Sequence, residues 1–185
     1  MRMNTPASGF AETAFLLVKF TIYYFLLSLA SVMLTRCSGD IVTLWFPNAL
    51  GVAYLILAPK KHILPLLVCA GIAMVAAYLV VRYALTGLAI IPVHLIEMAL
   101  AAYLVRRTGS AERFSDAPEN LLRFLLVAIF VPCLISATLA ALLFQGSESF
   151  SRLWWTWFAG MVIASLGLLP VAMMVLRLGW RDFLQ

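Results

Sequence analysis

ILPLLVCAGIAMVAAYLVV, Ile63 to Val81, is a run of nineteen residues without a charge, closed by Lys60-Lys61-His62 on one side and Arg82 on the other. A helix of this length reaches about 28 Å at roughly 1.5 Å per residue, close to the thickness of bilayer hydrocarbon. It is apolar on every face, so no rotation would give it both a core side and a water side. Such a segment belongs in lipid or deep inside a large protein, and a 185-residue chain is too small to enclose several of them. The same pattern recurs along the chain. The apolar runs predict six spans: Ala14 to Leu34, Ile41 to Ala58, Ile63 to Val81, Ala84 to Val105, Leu121 to Phe144 and Leu153 to Leu176. The fold expected is an all-α polytopic transmembrane bundle of about six spans, one domain over residues 1–185.

Composition agrees with that reading. Hydrophobic residues are 64%, charged residues 11% and the mean hydropathy is +1.03, far from the balance a water-facing surface requires. The formal charge of +5 would suit a nucleic-acid binder only if the basic residues formed a stripe, and they lie instead between apolar runs. No nucleic-acid partner is expected. Arg2, Lys19, Lys60, Lys61, Arg106, Arg107, Arg113, Arg123, Arg177 and Arg181 fall on one side of the predicted bundle, ten in all, against Arg36, Arg82 and Arg152 on the other. The positive-inside rule then places both termini in the cytoplasm and the first, third and fifth loops outside. The first apolar stretch is too long for a secretory signal and lacks a small-residue cleavage pattern, so it reads as a retained helix. Trp154, Trp155 and Trp157 at the outer end of the last span, and Trp180 beyond its inner end, read as an interfacial belt.

Polar residues inside such spans carry the functional question. Glu97 is the one carboxylate deep in a span, with His94 three residues earlier on the same helical face and Pro92 just before. The pair admits four readings: a polar ligand site, part of a metal site, a pH-sensitive pair, or hydrogen bonding that fixes helix packing. Two candidate ligands do not make a metal site, and no metal is assigned. Trp45 and Asn48 open the second span near the outer face, where Asn48 can bond across helices or line a cavity. Pro132 and Pro170 lie within the last two spans, where proline removes a donor and frees a carbonyl. The stretch Arg106 to Asn120 is the longest polar segment, with Arg106, Arg107 and Arg113 as candidate contacts for a partner and Ser115 as a candidate cap for the fifth helix. Cys37, Cys69 and Cys133 are too scattered for a disulfide framework, and Cys69 and Cys133 read as buried small hydrophobes. The chain has no phosphate-binding glycine loop, no HExxH and no nucleophile elbow, so a catalytic role is not expected and no cofactor is assigned.

Three segments resemble the type-one membrane-associated sensor domain of bacteria. Leu44-Trp45-Phe46-Pro47-Asn48 is similar to that family's L-W-[FP]-P segment, and the basic pair Lys60-Lys61 and Pro65 follow it. His94-Leu95-Ile96-Glu97, running on to Leu104-Val105-Arg106-Arg107, is similar to an N-x-x-E leading into an apolar helix that ends in L-L-R-R. Trp154 to Pro170 resembles a tryptophan-rich entry into a helix that ends in proline. The chain departs from the family pattern at His94, where Asn is usual, at Val75, where a second Asn is expected, and at Met161, a place often acidic. The resemblance implies a sensory input domain in the bacterial inner membrane, standing before a diguanylate cyclase, a cyclic-di-GMP phosphodiesterase or a histidine kinase. No GGDEF or EAL sequence is present, so the chain is expected to be either a sensor cut from a longer protein or a free-standing relative. The sensing residues expected are Trp45, Asn48, His94 and Glu97. Expected partners are membrane lipid, a cytoplasmic signalling module or protein, and a further copy of the chain. The rival function is a substrate-binding subunit of a small-solute transporter, which would use the same four residues as its pocket.

Overall fold

The structure is a computed structural model that describes residues 6–36, 44–81, 85–113, 117–144 and 149–183. Its helices are α1 (Pro6–Arg36), α2 (Pro47–Leu57), α3 (Ile63–Val80), α4 (Ile91–Thr108), α5 (Ser110–Arg113), α6 (Pro118–Leu125), α7 (Val131–Leu143) and α8 (Phe150–Phe183). Two 3-10 turns, Lys60–His62 and Leu85–Ile90, lead into α3 and α4. Five helical segments are long and apolar enough to cross a membrane, and α2 is a shorter apolar helix. The all-helical, about six-span architecture read from the sequence is therefore the one observed, and the differences lie in the elements.

The second segment differs most. Its helix is expected from Ile41, yet it begins at Pro47 and has 11 residues, about 16 Å of rise. Proline at the first helical position costs no hydrogen bond there, and Leu44 and Trp45 before it are not helical. A helix that short survives at membrane depth only if protein covers it, because lipid offers nothing to its end groups. It packs against α1, α3, α4 and α8, and nine of its residues are buried, from Pro47 to Ile56 with only Leu50 partly open. At its C-terminal end the guanidinium of Arg106 donates to the Leu55 carbonyl from Nε at 2.9 Å and to the Ala58 carbonyl from Nη2. These carbonyls would otherwise end in an apolar setting without donors.

The fourth segment, expected over Ala84 to Val105, becomes helical in the α sense only at Ile91 and runs on to Thr108, where Gly109 in the left-handed conformation (φ 63°) ends it. The fifth is one apolar stretch in three parts: α6, a π-turn over Leu126–Phe130, and α7. Pro132 explains the interruption. Having no N–H and a ring that crowds the carbonyl four residues back, it breaks the regular ladder, and the Val131 N–H reaches five residues back to Leu126. The wider turn keeps one face inward: Phe124, Ala128, Ile129, Cys133, Ser136, Ala137, Ala140 and Ala141 are all buried. The cap predicted at Ser115 lies outside the described residues, and the helix start is Ala117, with no side-chain cap. Cys37, Arg82 and the side chains of Arg113 and Trp180 also lie outside the described part of the chain.

Contacts fix which helix ends meet. Phe20 lies against Tyr54 (ring centroids 5.0 Å apart) and Ser31 Oγ accepts from the Phe46 amide at 3.2 Å, so α1 runs antiparallel to α2. Arg106 at the end of α4 meets the end of α2, so these two run parallel. Arg177 near the end of α8 donates to the Ala111 carbonyl just past α4. The ends of α2, α4 and α8 thus gather at one end of the bundle with the start of α1. Outward faces carry Phe15, Ile22, Leu64, Ile72, Leu142 and Ile163, the apolar surface that lipid requires.

Candidate functional site

At the other end of α2, near its first turn, the buried polar side chains of five helices converge. Pro47 starts the helix and so sets Trp45 one residue before the turn and Asn48 within it, both 1% exposed. Trp45 Nε1 donates to Asn48 Oδ1 at 3.1 Å, and the Tyr24 hydroxyl of α1 donates to the same oxygen at 3.0 Å. Asn48 Nδ2 stands 3.1 Å from His94 Nδ1 of α4. The imidazole is clasped between two indoles: Trp45 at 4.7 Å and 17°, and Trp157 of α8 at 5.2 Å and 29°. Tyr24 also points at two thioethers, Met98 Sδ at 3.5 Å and Met74 Sδ at 3.8 Å.

Glu97 lies one turn further along α4, about 16 Å before its C-terminal end. It is 3% exposed. Asn48, Cys133 and Ser136 stand beside its carboxyl, with Cys133 Sγ 3.9 Å from Oε1. The other oxygen, Oε2, is buried without a hydrogen-bond partner, as is the indole nitrogen of Trp157. The π-turn before Pro132 is what holds Cys133 and Ser136 on the inward face of α7 opposite Glu97.

The four residues singled out from the sequence, Trp45, Asn48, His94 and Glu97, are therefore neighbours in one cluster. Sequence reasoning leaves out Tyr24, Trp157, Cys133 and Ser136. By sequence Trp157 groups with the interfacial tryptophans. Trp155 fits that description, being exposed, and Trp154 donates to Thr138 at 3.0 Å, but Trp157 turns inward onto His94. Its spacing of three from Trp154, which continues inward through Met161 to Ser165, is the signal that could have found it. The arginines divide. Arg106 is spent inside the bundle on α2, whereas Arg107 is exposed and its Nη1 donates to the Tyr103 hydroxyl at 2.6 Å. Among the described residues no group of three or more His, Cys, Asp or Glu side chains could hold a metal ion.

Chemically the cluster can bind, hold a proton and report helix position. Directional bonds join α1, α2 and α4 in it, the Cys133 contact adds α7 and the Trp157 stack adds α8, an arrangement that a small displacement would disturb. In comparisons with known proteins, a family model described as MASE1 matches residues 15–185. Neither a curated protein nor a solved structure matches the chain.

Proposed function

From the premise that this chain belongs to the MASE1 family of membrane-associated sensor domains, we propose that it is the input domain of a bacterial inner-membrane signalling protein. Its signal is received at Trp45, Asn48, His94 and Glu97 and passed to a cytoplasmic output module, of the kind that makes or degrades cyclic-di-GMP or transfers phosphate from histidine. The observation that supports this reading is the buried polar cluster itself. Five spans meet at one set of buried side chains, and two polar atoms among them stand open: Glu97 Oε2, whose carboxyl lies beside Asn48, and Nε1 of Trp157, whose ring stacks on the imidazole that links α2 to α4. Polar groups at that depth are costly and are retained for function or for uniqueness of packing.

Transmission runs along α8. Trp157 stacks on His94 near its outer end, and Arg177 near its inner end holds the Ala111 carbonyl, so a shift of the cluster is carried to the C-terminal side of the domain. Arg107 and Arg113 are the residues proposed to meet the cytoplasmic partner; Arg106 serves α2 instead. A signal acts only through unequal affinity for two packings. The test joins this domain to a cyclase or kinase output and introduces Glu97→Gln, which keeps volume and hydrogen-bonding capacity. Output that no longer follows the wild-type response, at normal protein levels, supports the reading. Unchanged output at normal levels removes Glu97 from the site and leaves it a packing role.

A further inference from the structure

The directions of the hydrogen bonds in the cluster determine where its protons sit. An indole N–H only donates, so the atom of Asn48 that meets Trp45 Nε1 is the amide oxygen. The Tyr24 hydroxyl donates to the same oxygen and occupies its second lone pair. The amide nitrogen is therefore the atom facing His94, and an amide nitrogen has hydrogens to give and no lone pair to offer. His94 Nδ1 must accept. A histidine with one bare ring nitrogen is neutral, with its proton on Nε2. Asn48 cannot turn over to reverse this, because both Trp45 and Tyr24 would then lose their acceptor.

A neutral His94 brings no positive charge to Glu97. The titratable groups that the surrounding helices contribute are Tyr24 from α1, Tyr78 from α3, His94 from α4 itself and Cys133 from α7; α2 and α7 also offer the uncharged Asn48 and Ser136. None of these is a cation. A carboxylate in that setting would be an unpaired charge with a bare buried oxygen, whereas the neutral acid leaves one O–H without an acceptor, a far smaller cost.

We propose that Glu97 is a proton-binding site, filled in this packing, and that Asn48 sets its occupancy by donating to His94 Nδ1 and so denying Glu97 a cationic partner. The proposal deepens the sensory reading of the same cluster and rests on it for the site's biological use. If α2 shifts so that Asn48 leaves His94, Nδ1 becomes free to take the proton. The O–H bond of Glu97 breaks, its electron pair stays on the carboxylate, an N–H bond forms on the imidazole lone pair, and the net charge of the pair remains zero. Helix position and charge separation are coupled through one amide.

The test is magnetic resonance on the full chain in lipid nanodiscs near neutral pH, with 13C-labelled glutamate carboxyls and 15N-labelled histidine. The chain has two histidines, so His62→Gln assigns His94. The wild type is expected to show one glutamic acid carboxyl in the protonated range, lost in Glu97→Gln, and a His94 Nδ1 without a hydrogen. In Asn48→Leu, which takes the donor away without adding a charge, Nδ1 is expected to gain a hydrogen and the protonated glutamate signal to be lost. A wild-type Nδ1 that carries a hydrogen, or five glutamates all ionised, overturns the proposal whether or not either variant folds. So does a protonated signal that survives in folded Glu97→Gln. None of these readouts involves an output module, so their failure is distinct from a failure of the sensory reading, which shows only in output.

Discussion

Asn48 is bonded at both ends of its side-chain amide, with Trp45, Tyr24 and His94 all engaged. Replacing it by leucine keeps the bulk but strands two buried donors, each costing about 1–3 kcal/mol. Asn48→Leu is accordingly expected to lower the thermal midpoint in detergent, and Trp45→Phe, which removes one donor rather than an acceptor, to lower it less. Equal midpoints for Asn48→Leu and wild type would contradict the bond network. Trp45, Asn48, His94 and Glu97 are legible in the sequence because polar atoms inside apolar runs stand out against their neighbours. Tyr24 and Trp157 are not, because an aromatic ring with a polar tip suits a membrane interface as well as a core. Cys133 reads as a buried small residue; it is 1% exposed, and its Sγ lies against Glu97, a contact no spacing rule reveals.

At the scale of elements, α2 makes the sharpest demands on its neighbours. A β-carbon on Gly51 would overlap the Met98 sulfur of α4 and come 3.1 Å from Cε2 of Tyr24. Gly51→Ala is expected to cost about 1–3 kcal/mol in thermal or denaturant unfolding. Part of that cost should be recovered in the Gly51→Ala, Met98→Ala double variant, because the two sites share one space. Simple additivity would place the strain elsewhere. The clasp at the other end of α2 gives a second expectation: Arg106→Ala loses charge-assisted bonds to the Leu55 and Ala58 carbonyls, worth about 1.5–3 kcal/mol each. Arg106→Lys, with a single ammonium in place of the fork, should recover only part of the unfolding midpoint. The long spans are legible from length and apolarity alone. The start of α2 is not, because Ile41 to Phe46 is as apolar as the helix itself, and the choice of Pro47 as first helical residue depends on the protein that surrounds it. The π-turn is foreshadowed by Pro132, though its position within the helix is not.

For the molecule as a whole, the contacts bring the C-terminal ends of α2, α4 and α8 together, and the ten-to-three distribution of basic residues is the ground for proposing that this end faces the cytoplasm. With the native cysteines replaced, a cysteine at Glu148 is expected to react with a membrane-impermeant thiol reagent in intact cells and one at Glu112 to stay unlabelled. The reverse pattern would invert the molecule and sever the output proposal. The charge count is legible at once, whereas the enclosure of a short second helix by its neighbours is not, since no local pattern records which distant helix will cover which. That enclosure governs how the protein is made. The helix that completes the cover of α2 is α8, which follows the other described helices along the chain, so until the ribosome has released Phe150 onward, Asn48 and its partners face an incomplete wall. A nascent chain halted before that point holds a half-span with one flank uncovered, the kind of segment that membrane quality-control proteases extract, so the polar cluster closes only once α8 has entered the membrane.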